Sequence, residues 1–248
     1  EDAVDEYNAL TGSMTLNATN AAGDDHTYTA DYDTNVSATV RVDDFDEFGD
    51  RVRVTVTGEG YSWSSANSAD NAAIPLGTLD AGNYNVVAEA WNTAAEDWQH
   101  IDTDTLEINK IARADSIAFM KDHSSDTVKN DAYVEGTTTI FVKINGLEGQ
   151  TVDQLTADDF IVGTANTENL GVASVKAYNN NTVELTLARG LRLDEGTDAG
   201  EVRVTLVGTK NYSEVEVKHD VVAAPTDLPI ITNATAAAKD GNTIVVTI

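Results

Sequence analysis

The 248-residue chain has no cysteine, which excludes disulfide staples and thiolate metal sites. Its folded state must rest on its own buried core rather than on cross-links. Basic residues are scarce: 15 Lys plus Arg stand against 42 Asp plus Glu, a formal charge of −27. Phosphate binding runs on Lys and Arg, so nucleic acid is excluded as a partner. No apolar run approaches the ~18 residues of a membrane span. The four histidines, His26, His100, His123 and His219, are scattered and lie in no zinc-ligand spacing. No Gly-x-Ser-x-Gly elbow and no Gly-rich phosphate loop is present. Nothing in the chain spells out a reaction, and the expectation is that it is not an enzyme. No signal peptide is visible at its start, Glu1, as in a processed export product or a trimmed chain.

What is there reads as folded β material. Hydrophobic residues make up 41% and charged residues 23%, too apolar a balance for disorder. The length suits two domains of ~100–125 residues. From Ser13 onward apolar and polar residues alternate, as in Val36-Ser-Ala-Thr-Val-Arg-Val42 and Val52-Arg-Val-Thr-Val-Thr57, the period of strands with one buried face. Leu79-Asp-Ala-Gly-Asn-Tyr84 looks like the bend before a late strand of an immunoglobulin-like sandwich, where an aromatic follows a tight glycine turn. Trp98 to Ile108 closes the first module. Lys110 to Asp115 is a connector without Gly or Pro, expected to hold the modules at a fixed angle. In the second module the predicted strands are 137–143, 160–162, 173–178, 182–187, 201–207 and 212–218, with Thr156 or Asp158 capping a helical turn. Ala223 to Pro229, with two prolines, reads as a linker, and the chain after it holds two strands' worth of sequence.

The predicted organisation is an acidic segment 1–12, an immunoglobulin-like β-sandwich 13–110, a second one 111–222, and 223–248 as a linker plus the start of a third β module or an exchanged strand. The fold class is all-β, with tandem sandwiches.

Candidate chemistry lies in acids and aromatics. Asp43-Asp44-Phe45-Asp46-Glu47-Phe48-Gly49-Asp50 starts like a calcium loop with Asp44 first, Asp46 third and Gly49 sixth. It departs at the fifth position, Phe48, and the twelfth, Thr55. A looser calcium site using Asp43, Asp44, Asp46 and Asp50 stands beside the plainer reading, a solvated acidic hairpin. Asp102 and Asp104 share a strand face near Lys110, where carboxylates could bridge a cation. Tyr61 and Trp63, assigned to a loop, are candidates for an exposed platform that stacks on sugars, whereas Trp91 is expected in the core. The surface charge has three readings: collecting divalent cations, adapting to high salt, or keeping a crowded extracellular protein soluble. Five Asn-x-Ser/Thr sequons, at Asn17, Asn35, Asn180, Asn211 and Asn233, are close to chance and decide nothing.

Leu155-Thr-Ala-Asp-Asp-Phe160, Val175 to Leu187 through the turn Asn179-Asn180-Asn181, and the shorter echo Asn242 to Ile248 resemble the immunoglobulin-like repeats of prokaryotic S-layer and other cell-surface proteins. The resemblance covers about the last 130 residues. It implies a non-catalytic segment of an extracellular surface layer on the cell wall, self-assembling with identical chains through lateral sandwich faces and aided by calcium. Two other readings come from different classes: an adhesin or carbohydrate-binding segment that takes surface glycans, and a filament subunit whose strand Thr243 to Ile248 enters a neighbour's sheet.

Overall fold

The computed structural model describes residues 9–20, 24–124, 126–164, 169–225, 235–240 and 243–247. The expected acidic segment up to residue 8 and most of the Pro225–Pro229 linker lie outside the described residues. The chain divides into two compact units. The first comprises residues 1–115, 146–149 and 207–215, and the second 116–145, 150–206 and 216–248.

The first unit carries β1 (Gly12–Leu16), β2 (Thr19–Asn20), β3 (Thr27–Asp31), β4 (Val36–Val42), the turn α1 (Phe45–Phe48), β5 (Gly49–Gly58), β6 (Tyr61–Ser64), β7 (Ala73–Gly77), β8 (Gly82–Asn92), β9 (Asp97–Asn109) and β10 (Ile111–Ala112). One sheet has the order β1-β4-β7 and the other β2-β3-β9-β8-β5-β6. Alternate residues drive the two together: Val36, Ala38, Val40 and Val42 from β4 face Val52, Val54 and Val56 from β5 across one core. The early strand β3 runs parallel to the last long strand, β9, while the other pairs in both sheets are antiparallel. At Gly58 (φ 153), an added Cβ would stand 2.2 Å from the Asn83 carbonyl oxygen. Only glycine fits that approach.

The second unit carries β11 (Ser116–Met120), β12 (Tyr133–Val134), β13 (Thr139–Asn145), β14 (Phe160–Thr164), β15 (Val172–Ala177), β16 (Thr182–Leu187), β17 (Ala199–Leu206) and β19 (Val215–Val222). The short strand β18 (Tyr212–Ser213) pairs in parallel with β10. The two sheets run β11-β13-β16-β15 and β12-β19-β17-β14, with β12 parallel to β19. In both units an N-terminal strand starts in one sheet and its continuation crosses to lie beside the final strand of the other. That crossing, with antiparallel pairing elsewhere, is the immunoglobulin-like plan. Finally, β20 (Thr235–Asp240) and β21 (Thr243–Thr247) pair as an antiparallel hairpin. The fold is all-β: tandem immunoglobulin-like sandwiches and a terminal strand pair.

The bend at Leu79–Gly82 does what its sequence suggested. Tyr84, 3% exposed at the start of β8, donates its hydroxyl hydrogen to the Asp80 carbonyl at 2.9 Å. This is the tyrosine corner of such sandwiches. Tyr84→Phe removes that bond and leaves the carbonyl short of a donor, so it is expected to cost the first unit about 1–2 kcal/mol in denaturant unfolding. A loss below measurement error would show the hydroxyl to be ornamental.

Two readings need correction. The sequence 61–64 is not a loop but the edge strand β6, antiparallel to β5 with Trp63 opposite Val56. The 212–218 stretch is broken at Glu214 into β18 and β19. The Thr156 turn is present as a 3-10 turn, with the Thr156 N–H and hydroxyl both donating to the Asp159 carboxylate. No helix among the described residues is long and apolar enough to cross a membrane.

Candidate metal centre

The densest polar constellation is built inside a strand that otherwise makes core. Along β9, Ile108, Leu106, Asp104 and Asp102 stand opposite Gly82, Tyr84, Val86 and Ala88 of β8. Leu106 and Ile108 are buried, and the same parity carries Asp104 to zero exposure. His26 reaches them because β3 lies parallel to β9, with Thr27 opposite Thr105 and the Thr105 N–H donating to the His26 carbonyl at 2.8 Å. His26 Nδ1 is then 2.9 Å from Asp104 Oδ1 and 3.4 Å from Asp102 Oδ1.

The surrounding bonds fix the ligands in place. The Met14 N–H of β1 donates to Asp102 Oδ2 at 2.8 Å, bringing in the opposite sheet. The His26 N–H and the Thr27 hydroxyl donate to the two oxygens of Asp24 at 2.9 and 2.8 Å. Those bonds hold the Asp24 carboxyl below the usual range. Burial pushes the Asp104 carboxyl up, and the bond from His26 opposes that shift. The same bond, with the Asp102 charge behind it, raises His26. Asp104 Oδ2 has no hydrogen-bond partner. Among the described residues, His26, Asp102 and Asp104 are the one group of three whose ligand atoms all lie within 4.8 Å of one another. The group has the donors to hold a metal ion.

Asp102 and Asp104 are thus brought together as their shared strand face suggested, whereas the four acids of the proposed calcium loop do not converge in this way. Asp43 accepts from the Thr11 hydroxyl at 3.2 Å, and Asp50 pairs with Arg51. Asp44 caps α1 with a left-handed backbone (φ 56) and no side-chain cap bond. Asp44 and Asp46 line an open cleft of about 440 Å³ that also contains Arg41. The short α1 turn spreads these carboxylates instead of gathering them.

The aromatics are rearranged as well. Trp63 packs half-buried against the core beside a groove of about 240 Å³, and Tyr61 meets Tyr84 edge-on at 6.1 Å. Trp63 turns to the core side of β6, whereas Tyr61 stays 37% exposed, as the platform reading expects of it. Trp91, expected in the core, is half-buried on the outer face, because Tyr84, Val86, Ala88 and Ala90 hold the inward parity of β8. It stands opposite Trp98 at 5.7 Å between ring centres. Arg51 lies 4.7 Å over Trp91, and Arg53 lies 4.2 Å over Trp98 while pairing with Glu89 at 2.7 Å.

In the second unit the outer face of β12-β19-β17-β14 shows a different surface. Arg203 contacts Glu216 and Glu201 at 3.3 and 3.6 Å, and Lys218 contacts the same two glutamates at 3.7 and 3.8 Å. Around this compensated group stand Ile161, Val134 and Val222, exposed by 45%, 40% and 38%.

No family model matches the chain, and no curated protein matches it. Among solved structures, a β-glucuronidase of Parabacteroides merdae aligns at 12% identity and TM-score 0.25, over 84% of this chain and 24% of that one. A Streptomyces avermitilis α-L-rhamnosidase aligns at 9% identity and TM-score 0.30, over 88% and 26%. Drosophila N-cadherin EC1-3 aligns at 11% identity and TM-score 0.25, over 87% and 67%. The chain thus spans about a quarter of the length of the two enzymes. Likeness at this level carries no activity or partner across, and the immunoglobulin-like assignment rests on the strand order and register within each unit.

Proposed function

We propose that the chain is a non-catalytic structural segment of an extracellular surface layer, one that associates with identical chains through the lateral faces of its sandwiches. The observation that supports this reading is the outer face of β12-β19-β17-β14. On a chain of net charge −27, self-repulsion opposes association almost everywhere. Here Glu201, Arg203, Glu216 and Lys218 compensate one another, and three aliphatic side chains project beside them. A second copy meets little repulsion at that face and gains apolar burial. Calcium gathered by the remaining acidic surface would screen the rest and favour assembly, and the location that goes with this reading is a cell surface or wall exposed to the medium.

The test is light scattering of the chain over a concentration series with and without millimolar calcium. Association is expected, strengthened by calcium. Ile161→Glu is expected to weaken it at least ~10-fold, since a charge in a desolvated contact costs more than ~1.4 kcal/mol. A protein that stays monomeric throughout, or an Ile161→Glu variant that associates unchanged, would contradict this reading.

A second reading has one observation in its favour. The outward Trp91–Trp98 pair, with arginines over its rings, is a surface on which a surface glycan could stack. Glycan-array binding abolished by Trp98→Ala, in a protein that stays monomeric, would favour an adhesin. The strand-insertion reading gains no comparable support, since β21 is already paired with β20.

A further inference from the structure

We propose that His26, Asp102 and Asp104 bind one first-row divalent metal ion of the zinc class, with an imidazole nitrogen and two carboxylate oxygens as ligands. The inference is independent of how the chain assembles. It starts from Asp104, whose side chain is wholly buried and whose Oδ2 has no hydrogen-bond partner. A buried carboxylate with an unsatisfied oxygen is costly, and such groups are rare without a reason. The next inward residues of the same strand are Leu106 and Ile108, so a hydrophobic residue would suit the sandwich equally well at position 104. A cation held by this carboxylate neutralises its buried charge, and a grip by both oxygens would also satisfy Oδ2.

The spacing from His26 to each aspartate suits an ion. Ligands ~2.0–2.2 Å from a tetrahedral zinc are ~3.3 Å from one another. His26 Nδ1 lies 2.9 Å from Asp104 Oδ1 and 3.4 Å from Asp102 Oδ1. The third pair of ligand atoms, on Asp102 and Asp104, lies within 4.8 Å, and closing it is the main movement that an ion requires. The donor set selects the metal class: imidazole suits zinc and its neighbours, whereas calcium seeks six to eight oxygens. Outer bonds already orient the ligands, with Met14 N–H on Asp102 Oδ2 and Thr105 N–H on the His26 carbonyl. The His26 side chain is 62% exposed, which gives the ion a way in. On binding, the imidazolium gives up its Nδ1 proton to solvent and becomes a neutral ring that keeps its proton at Nε2. The fourth position falls to water. The ion then ties β9 to the residue before β3 and, through Asp102, to β1 of the facing sheet.

The experiment is thermal unfolding of the full chain, stripped with chelator and then given zinc, cobalt(II) or calcium. At an excess of ~100-fold over Kd, zinc is expected to raise the first unit's Tm by about 5 °C or more. Titration calorimetry is expected to give one zinc ion per chain, and cobalt(II) a visible absorption band of a four-coordinate site. His26→Gln, at an exposed position that keeps the fold, and Asp104→Asn are expected to abolish all three signals. Asp46→Asn in the α1 turn is expected to leave them intact. Zinc effects that survive in His26→Gln mark diffuse binding to surface carboxylates and overturn the proposal. Melting that ignores every metal means that the imidazolium alone balances the two aspartates, and overturns it equally. A calcium shift as large as the zinc shift would overturn the metal class.

Discussion

Leu106→Ala is expected to destabilise the first unit by about 3–4 kcal/mol. Leu106 is fully buried near the middle of β9. It is paired on one side with Tyr28 of β3 and on the other with Tyr84 of β8. Both tyrosines are themselves nearly buried, at 5% and 3% exposure. A strand held by ladders on both flanks cannot move in to fill the space that a missing isobutyl group leaves. Little of the cavity is therefore relieved, which keeps the cost away from the low end of the usual range of about 2–5 kcal/mol for such truncations. Denaturant unfolding gives the magnitude, and amide exchange locates it: β8 and β9 are expected to exchange at least ~100-fold faster, at 1.4 kcal/mol per decade. A loss under ~1 kcal/mol would mean that the core there collapses freely, contrary to the tight sheet packing.

Arg113→Ala is expected to cost about 2–4 kcal/mol and to release two chain segments together. Arg113 is 3% exposed, and its guanidinium donates to the Val207 carbonyl. Its own backbone carries further bonds: its N–H donates to Ser213 at 3.0 Å, and its carbonyl accepts from the Glu148 N–H at 2.9 Å. One residue thus meets both outlying pieces of the first unit, 146–149 and 207–215. Other ties hold the second piece. Lys210 pairs with Asp80 at 2.6 Å, Asn211 accepts from the Ala81 N–H at 2.9 Å, and Tyr212 stacks edge-on against Tyr32 at 5.5 Å. The lysine bond, followed by that from Asn211, holds the Asp80 carboxyl below its ordinary range. Truncating Arg113 removes the buried donor and leaves these exposed contacts to carry the loop. Faster exchange confined to 207–215 and 146–149 is the expected signature. Arg113→Lys is expected to recover only part of the loss, because an ammonium lacks the planar fork. Unchanged exchange in both segments would show that the surface contacts suffice.

Much of this architecture was legible in the sequence because period-two alternation is a local signal. Val36–Val42 and Thr182–Leu187 form strands with the bounds that their alternation predicts. The Asn-rich turn works as expected too, with Asn181 at φ 62 and the Tyr178 N–H donating to Thr182 at 2.8 Å. β6 was missed although Tyr-Ser-Trp-Ser alternates aromatic and polar residues, because the run is only four residues long and is followed by Ser65, Asn67 and Ser68, which read as loop. Trp91 was misplaced through parity: Val86, Ala88 and Ala90 already claim the inward side, so an odd-numbered neighbour must face out. The metal candidate was half visible. Asp102 and Asp104 share parity with Leu106 and Ile108, which marks them as inward acids. What no local pattern reveals is that β3 docks in parallel on β9, bringing His26 across 78 residues to Asp104. The α1 turn worked the other way, since a dense acidic run looks like a ligand set until the backbone spreads it.

The most direct measurement of self-association through a chosen face is hydroxyl-radical footprinting of the chain at low and high concentration in calcium. The expected result is that Ile161, Val134 and Val222 become protected as concentration rises, while residues around the acidic α1 turn stay reactive. Equal oxidation of those three side chains at every concentration, with the protein sedimenting as a monomer, would contradict it.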